Sequence, residues 1–189
     1  MSFIPIGDWQ IHDPAGRRKY VTAGERKRFL VAADGLPPER RAFCYVLAYT
    51  GFRVSEVLSL ARHQLDREAC TLTVRTLKRR RAAFRTMPIP TGLAKMLIDL
   101  SAKTEGRFWD MHRATAWRLV HSAMINARIT GPMATCKGLR HGLGISAAAA
   151  GVPPNLIGKW LGHASLQTTA IYLDAVGREE REFARKMWD

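Results

Sequence analysis

Apolar residues at helical spacing, separated by short glycine and proline breaks, recur along most of this chain and restrict its fold to a mainly helical one. The spacing predicts helices over residues 22–34, 39–49, 54–60, 92–102 and 113–127. Thr22 and Glu25 form a capping-box pattern at the start of the first helix, and two prolines separate it from the second.

Two short stretches, Cys70–Arg75 and Ala83–Ile89, alternate in the manner of β-strands, and Pro88 confines the second to an end or an edge of a sheet. The predicted hairpin carries four consecutive cations at its tip, namely Lys78, Arg79, Arg80 and Arg81. Such a tip can be merely solvated, but in a chain this basic it favours contact with a phosphate backbone. The sequence therefore predicts a mainly α fold with a small antiparallel β-sheet or hairpin, an α+β arrangement.

A large excess of positive charge indicates a polyanionic partner. The 189 residues include 30 Lys and Arg against 16 Asp and Glu, a formal net charge of +14, and 47% of the residues are apolar, which is enough for a sizeable core. A folded domain this basic most often binds nucleic acid, although the charge could also serve solubility alone. A membrane-surface role is disfavoured because the cations are spread along the chain rather than gathered on one amphipathic helix.

Cysteine usage and the N-terminal pattern indicate a cytoplasmic protein. Cys44, Cys70 and Cys136 are odd in number and far apart, and no Cys and His spacing suggests zinc. No apolar run reaches the ~18 residues of a membrane span, and the first ten residues lack a signal-peptide pattern.

A P-loop and a GxGxxG motif are absent, which argues against a nucleotide. We therefore expect no cofactor and no metal.

Residues 136–175 concentrate groups suited to phosphate chemistry. Lys137 and Arg140 open this segment, His163 follows a Gly-Val-Pro-Pro break, and Tyr172 lies nine residues after His163. An arginine can hold a phosphate through two hydrogen bonds at once. A tyrosine hydroxyl can attack phosphorus and form a covalent intermediate if cations neutralise the charge that develops.

Arg53 is a further candidate anion ligand. It follows Gly51 at a predicted helix start, where free N–H groups and the helix dipole favour negative charge. The alternative is a surface arginine that pairs with Glu56, three residues on.

The two ends of the chain carry less definite signals. Residues 1–20 predict an irregular basic arm, whose cations either lie along a phosphate backbone or are solvated; these are Arg17, Arg18 and Lys19. Residues 177–189 predict a short C-terminal helix with one apolar edge. That edge could fold back on the core of its own chain or dock on a neighbouring protomer.

Together these motifs resemble the catalytic domain of the tyrosine recombinases, the phage integrase family. TGFRVSEVLSL is similar to the first box of the family, and KGLRHGLG followed by LGHASLQTTAIY is similar to the second, in the same order. On this basis we expect a catalytic domain over residues 21–176. The resemblance implies six catalytic residues, with Lys137 assisting in phosphate binding or proton handling; the set is Arg53, Lys78, Lys137, Arg140, His163 and Tyr172.

The resemblance also implies a mechanism for site-specific recombination of double-stranded DNA without metal or ATP. Tyr172 attacks a phosphodiester, forms a 3′-phosphotyrosyl link and releases a 5′-hydroxyl. Arg53 and Arg140 hold the non-bridging oxygens, Lys78 protonates the departing oxygen, and His163 donates a hydrogen bond to the phosphate. A homo-oligomer, a tetramer on DNA, is implied as well.

Two departures from the family pattern affect these expectations. Lys137 stands where the family usually has a histidine, and a lysine binds phosphate but is a poor proton acceptor at neutral pH. His141, next to Arg140, resembles a common non-catalytic neighbour. Only about 20 residues precede the expected catalytic domain, whereas family members usually carry a separate N-terminal domain that closes around DNA. The chain could be a minimal recombinase, a fragment, or a protein assisted by an accessory DNA-binding partner.

These departures leave two other functions open. One is a non-catalytic accessory or regulatory DNA-binding protein on a recombinase scaffold, which the intact set of Arg53, Arg140, His163 and Tyr172 opposes. The other is a relaxase of supercoiled DNA, similar to a type IB topoisomerase and acting as a monomer. Assembly through the terminal helix would separate recombination from relaxation.

Overall fold

The fold is mainly helical with one small antiparallel sheet, as the sequence predicts. The structure, a computed structural model, describes residues 10–76, 83–102, 106–173, 185, 187 and 188. Its elements are α1 (Ala23–Asp34), α2 (Pro38–Thr50), α3 (Val54–Leu58), β1 (Leu65–Asp66), β2 (Thr71–Arg75), β3 (Phe84–Pro88), α4 (Thr91–Ser101), α5 (Arg113–Asn126), α6 (Cys136–Ala149), α7 (Pro154–Leu161) and α8 (Gln167–Ala170).

Helix α2 forms the centre of the hydrophobic core. It packs against α1, α4 and α6, and its apolar face of Phe43, Val46 and Leu47 is fully buried. Trp109 meets Phe43 edge-on with ring centroids 5.4 Å apart. The Trp109 indole N–H donates to the Glu39 carbonyl at 2.8 Å. The predicted core role of Trp109 is confirmed, and burial of these side chains supplies the main driving force for folding.

The predicted break after α2 is confirmed, and it changes the direction of the chain just before Arg53. Gly51 adopts a left-handed conformation with φ 60°, and its N–H donates to the Leu47 carbonyl. A Cβ at Gly51 would lie 2.9 Å from the side chain of Leu161. Glycine is therefore required here both for its conformation and for the close approach of α7.

The sheet has the strand order β1-β2-β3, and both pairings are antiparallel. In the β2–β3 hairpin, Thr71 pairs with Pro88 and Arg75 pairs with Phe84. Pro88 therefore lies at the end of an edge strand, as predicted. Strand β1 was not predicted, because two residues are too few to show alternation. Residues 77–82, with the predicted cationic tip, lie outside the described residues.

The described part of the predicted basic arm, residues 10–20, has no helix or strand, and it contacts the body of the protein. Arg17 pairs with Asp13 at 2.8 Å, and the Lys19 N–H donates to the Ile11 carbonyl at 2.7 Å. Ile11 is buried in a small apolar cluster with Tyr172. Apolar contact and local pairing therefore hold this segment in place.

One predicted core residue is on the surface. Trp117 is 49% exposed and stacks on His121 with ring centroids 4.9 Å apart. The core-facing positions of α5 are Ala116, Val120, Ala123 and Met124, so residue 117 falls beside the buried stripe. Among the described helices, none is long and apolar enough to cross a membrane.

Candidate active site

Arg53 lies at the N-terminal cap of α3, where the chain leaves the Gly51 turn. Its guanidinium contacts the Glu56 carboxylate at 3.0 Å, and its backbone N–H donates to the other carboxylate oxygen at 2.8 Å. The Arg53 side chain is 20% exposed, whereas that of Glu56 is fully buried. The pairing considered from the sequence is thus formed, and it fixes Arg53 at the helix start with part of its side chain accessible.

Glu56 connects Arg53 to a second arginine, Arg85 of β3. The Arg85 guanidinium donates to both Glu56 oxygens, at 2.6 and 3.1 Å, and its side chain is 3% exposed. Burial alone would raise the pKa of Glu56, but the hydrogen bonds and charge of Arg85, with the contribution of Arg53, outweigh burial and lower that pKa. Glu56 therefore remains ionised between two cations.

Arg85 is a residue of the site that sequence reasoning missed. Its Nε donates to the Trp160 carbonyl at 2.8 Å, its Nη1 donates to the Thr76 hydroxyl at 2.9 Å, and its guanidinium lies 4.8 Å from the Phe52 ring centroid. Strand alternation could have indicated it, since Arg85 and Met87 share the buried face of β3.

Arg140 joins the two halves of the site. From α6 its Nη1 donates to the Gly51 carbonyl at 2.8 Å, and its Nη2 donates to the Leu161 carbonyl at the end of α7. It is 5% exposed. Burial, together with the positive charge of Arg53, lowers the pKa of Arg140 to about 10, so it remains cationic at neutral pH. The two carbonyl contacts fix the guanidinium plane next to the Arg53 turn.

His163 lies just after the left-handed Gly162 that ends α7. Its Nδ1 is 2.8 Å from the hydroxyl of Thr169, a fully buried residue of α8. Burial, and then the charges of Arg140 and Arg53, lower the pKa of His163 to about 3. The imidazole is therefore neutral at physiological pH, and the Thr169 contact fixes its orientation.

Tyr172 follows α8 and is 1% exposed. Its ring centroid lies 5.9 Å from that of His163, and a Cβ at Gly144 would lie only 2.5 Å from the Tyr172 ring. Burial raises the pKa of Tyr172 to about 12, while the positive charges of Arg140 and Arg53 act in the opposite direction. The phenol is therefore protonated at neutral pH and lies within the electrostatic reach of both arginines.

His141 contacts the Tyr172 hydroxyl directly. Its Nδ1 lies 3.0 Å from the Tyr172 Oη, and the imidazole is 1% exposed. Sequence reasoning gave His141 no catalytic role. The available signal was the helical spacing between His141 and Lys137, which puts both residues on one face of α6.

The structure brings four predicted catalytic residues into one group, namely Arg53, Arg140, His163 and Tyr172. Lys137 is half-buried on the first turn of α6. Lys78, Arg79, Arg80 and Arg81 lie outside the described residues.

The predicted cations of the N-terminal segment are partly engaged in ion pairs. Arg17 pairs with Asp13, and Arg18 pairs with Glu25 at 2.5 Å. The hydrogen bonds from Arg18 lower the pKa of Glu25 to about 2. Lys19 is half-buried. Their contact with DNA stays a prediction.

A cleft opens beside His163, between the hairpin and α7. It has a volume of about 370 Å³, and its lining includes Thr76, Arg85, Lys159 and Ser165. It adjoins the strand ends that flank residues 77–82. Across the described ranges, no three His, Cys, Asp or Glu side chains are grouped so as to hold a metal ion.

Comparisons with known proteins give a consistent family assignment. Tyrosine recombinase XerA of Pyrococcus furiosus is 29% identical over 176 residues, which are 87% of this chain and 60% of that protein. The chain thus spans about 60% of the length of this relative.

Solved structures share the fold. A crystal structure of XerA recombinase superposes with a TM-score of 0.74 at 26% identity, covering 89% of this chain and 64% of XerA. The catalytic domain of bacteriophage HP1 integrase has a TM-score of 0.68 at 24% identity, covering 88% of this chain and 93% of that domain. XerH bound to a palindromic difH substrate has a TM-score of 0.78 at 19% identity, covering 94% of this chain and 56% of XerH. The model of the phage integrase family matches residues 19–178, and this chain therefore belongs to that family of tyrosine recombinases.

Proposed function

We propose that this chain is a site-specific recombinase, which cleaves and rejoins double-stranded DNA through a covalent 3′-phosphotyrosyl link at Tyr172. The observation that carries the proposal is the position of one phenol within reach of two guanidinium charges, those of Arg53 and Arg140. A phosphodiester placed against these cations would have its charge neutralised beside a nucleophile. The name of the relative XerA, tyrosine recombinase, supports the same activity.

In the proposed reaction, the Tyr172 oxygen forms a bond to phosphorus as the bond to the 5′-oxygen breaks. Arg53 and Arg140 hold the non-bridging oxygens and stabilise the charge of the pentavalent transition state. The hydrogen bonds that already fix both guanidinium groups reduce the reorganisation needed when the phosphate binds. Because the phosphotyrosyl link conserves the bond energy, a 5′-hydroxyl from another strand reverses the step without ATP.

Three other residues complete the proposed site. His163, neutral and oriented by Thr169, donates a hydrogen bond to the phosphate. Lys137, at the start of α6, supplies a further cation for the phosphate. Lys78, on the hairpin tip predicted from the sequence, acts as the general acid that protonates the departing 5′-oxygen.

The wider assembly is part of the same proposal. Residues 21–176 form the catalytic unit of a tetramer on DNA, in the cytoplasm, and the 177–189 segment is the candidate element for docking on a neighbouring protomer. An accessory DNA-binding protein is a candidate partner that would add contacts to the duplex. The cations proposed to contact the DNA backbone are Arg79, Arg80, Arg81, Arg17, Arg18 and Lys19.

Covalent trapping tests the proposal directly. The protein is incubated with nicked suicide DNA made from pooled genomic fragments, and denaturant-resistant protein–DNA adducts are separated on a gel. We expect an adduct with the unmodified protein and none with Tyr172→Phe. Tyr49→Phe, which removes a hydroxyl from a half-buried tyrosine on α2, is the matched control and should retain the adduct.

Two results would contradict the proposal. An adduct that persists in Tyr172→Phe would assign the nucleophile elsewhere. Tight, salt-sensitive DNA binding without any adduct would indicate an accessory DNA-binding protein. Once an adduct is found, exchange of strands between two labelled duplexes separates recombination from relaxation of supercoils.

A further inference from the structure

The imidazole of His141 touches the atom that would attack DNA. Its Nδ1 is 3.0 Å from the Tyr172 Oη, and the two rings meet edge-on with centroids 5.7 Å apart. Each residue is 1% exposed. A distance of 3.0 Å lies inside the range of about 2.6–3.2 Å that proton transfer requires.

The attack requires a proton acceptor at this point. Burial raises the pKa of Tyr172 to about 12, so the phenol carries its proton at neutral pH. A neutral phenol is a weak nucleophile, and its proton must leave as the bond to phosphorus forms. A base in contact with the oxygen removes that proton without a free phenolate having to form first.

Lys137 is poorly suited to this task, although it occupies the position where the family usually has a histidine. An ammonium group has three donors and no acceptor, so a charged lysine can bind phosphate but cannot receive a proton. His141 lies one helical turn later on the same helix, and α6 directs it to the Tyr172 hydroxyl. A neutral imidazole has one nitrogen that accepts.

The charged and titratable groups around this pair come from several elements. Arg140 is on the same helix, Arg53 caps α3, and His163 follows α7. The positive charges of Arg140 and Arg53 lower the pKa of His163 and act against the burial that raises the pKa of Tyr172, and His141 also contributes to lowering the pKa of His163. A bound phosphate brings negative charge into the group, so an imidazolium formed during the attack has an anion beside it.

We propose that His141 is the general base of the cleavage step, a role that rests on the proposed function. Neutral His141, protonated on Nε2, receives the Tyr172 proton on Nδ1. The electron pair of the broken O–H bond forms the bond from the Tyr172 oxygen to phosphorus. The bond from phosphorus to the 5′-oxygen breaks, and that oxygen leaves with its electrons and takes a proton from the general acid. On rejoining, His141 returns the proton to Tyr172.

The test uses the full chain, nicked suicide DNA, and a second substrate with sulfur in place of the bridging 5′-oxygen. Sulfur leaves without needing a proton, so it relieves the loss of a general acid but not the loss of a general base. We expect His141→Gln to slow adduct formation by about 10²–10⁴-fold on both substrates. Lys78→Ala should slow adduct formation only on the substrate that has oxygen at the bridging 5′ position. The control His63→Gln, which alters an exposed histidine, should form the adduct at the rate of the unmodified protein on both substrates.

The pH profile and chemical rescue separate a base from a structural residue. Without its base, the His141→Gln reaction should accelerate with hydroxide concentration across the range in which the unmodified protein reaches a plateau. His141→Ala should regain part of its rate with added imidazole. A rate and pH profile of His141→Gln equal to those of the unmodified protein would overturn the proposal, as would rescue of this variant by the sulfur substrate.

A DNA-free measurement keeps this inference distinct from the proposed function. Nitrogen NMR of the histidine rings in the folded protein reports which nitrogen of His141 carries the proton. We expect an unprotonated Nδ1 at neutral pH, and a proton on Nδ1 would overturn the proposal. Absence of any adduct with the unmodified protein would instead contradict the proposed function. The NMR result would still decide whether Nδ1 of His141 can accept a proton from Tyr172.

Discussion

At the scale of single residues, Gly144 leaves no room for a side chain beneath the Tyr172 ring. A Cβ at this position would lie 2.5–2.7 Å from three ring atoms. Because Tyr172 is almost completely buried, its ring cannot shift without disturbing the packing around it. The position of Tyr172, the proposed nucleophile, therefore depends on the absence of a side chain at residue 144.

Gly144→Ala should destabilise the fold by about 1–3 kcal/mol, as overpacking of a core does, and it should displace Tyr172. Gly24→Ala is the matched control, because it lies in α1 with nothing within 4 Å of the added Cβ. It should be neutral or stabilising by up to about 1 kcal/mol. Urea unfolding measures both changes, and equal stability of the two variants would contradict the expected steric conflict.

His163 should make the stability depend on pH below neutrality. Its pKa is lowered from 6.5 to about 3 in the folded state, so between these values the unfolded chain binds a proton that the folded one does not. Stability should fall as the pH decreases from 6.5 and level off near 3, by at most about 5 kcal/mol at ~1.4 kcal/mol per pH unit. His163→Gln should lack this contribution. Unfolding curves at several pH values measure this difference. Equal loss of stability in the unmodified protein and in His163→Gln would contradict the prediction.

At the scale of elements, the carboxylate of Glu56 joins α3 to β3. It is fully buried between Arg53 and Arg85. An ion pair of this kind adds little net stability over an apolar replacement, but removal of one partner leaves a buried charge without compensation. The contact therefore fixes how the strand meets the helix that carries Arg53.

Glu56→Gln should lower the free energy of unfolding by about 3–5 kcal/mol, since the buried Arg85 loses its counter-charge. Asp99→Asn removes one partner of the exposed Lys95–Asp99 pair, 3.6 Å apart, and should cost less than about 1 kcal/mol. Thermal and urea unfolding compare the two. A Glu56→Gln protein as stable as Asp99→Asn would show that the buried cations are satisfied by other groups.

These elements also show which features the sequence could predict. The α1 cap at Thr22, the Gly51 break and the β2–β3 hairpin depend on neighbouring residues, so local pattern was sufficient. The Arg85 and His141 contacts join segments 29 and 31 residues apart in the chain. The periodicity of a segment does not indicate which distant residue a side chain contacts, so only the folded structure could assign these two contacts.

At the scale of the whole molecule, the net charge of +14 should make DNA binding strongly dependent on salt. Each phosphate contact contributes a slope of about −0.9 to the logarithmic plot of affinity against salt. Replacing Arg79, Arg80 and Arg81 with alanine should therefore reduce the slope by about 2–3. Fluorescence anisotropy at several salt concentrations measures it. The control Lys95→Ala, on the exposed face of α4, should leave the slope unchanged. An unchanged slope in the triple variant would show that the predicted hairpin tip does not contact DNA.

The two carbonyl contacts of Arg140, to Gly51 and Leu161, have a consequence during protein synthesis. Arg53 precedes Arg140 and Tyr172 in the chain, so it is synthesised before the residues that complete the proposed site. The site closes only when segments 89 residues apart have met. We expect a chain in which these segments have not met to keep its positive charge but to lack the complete site of the proposed cleavage reaction.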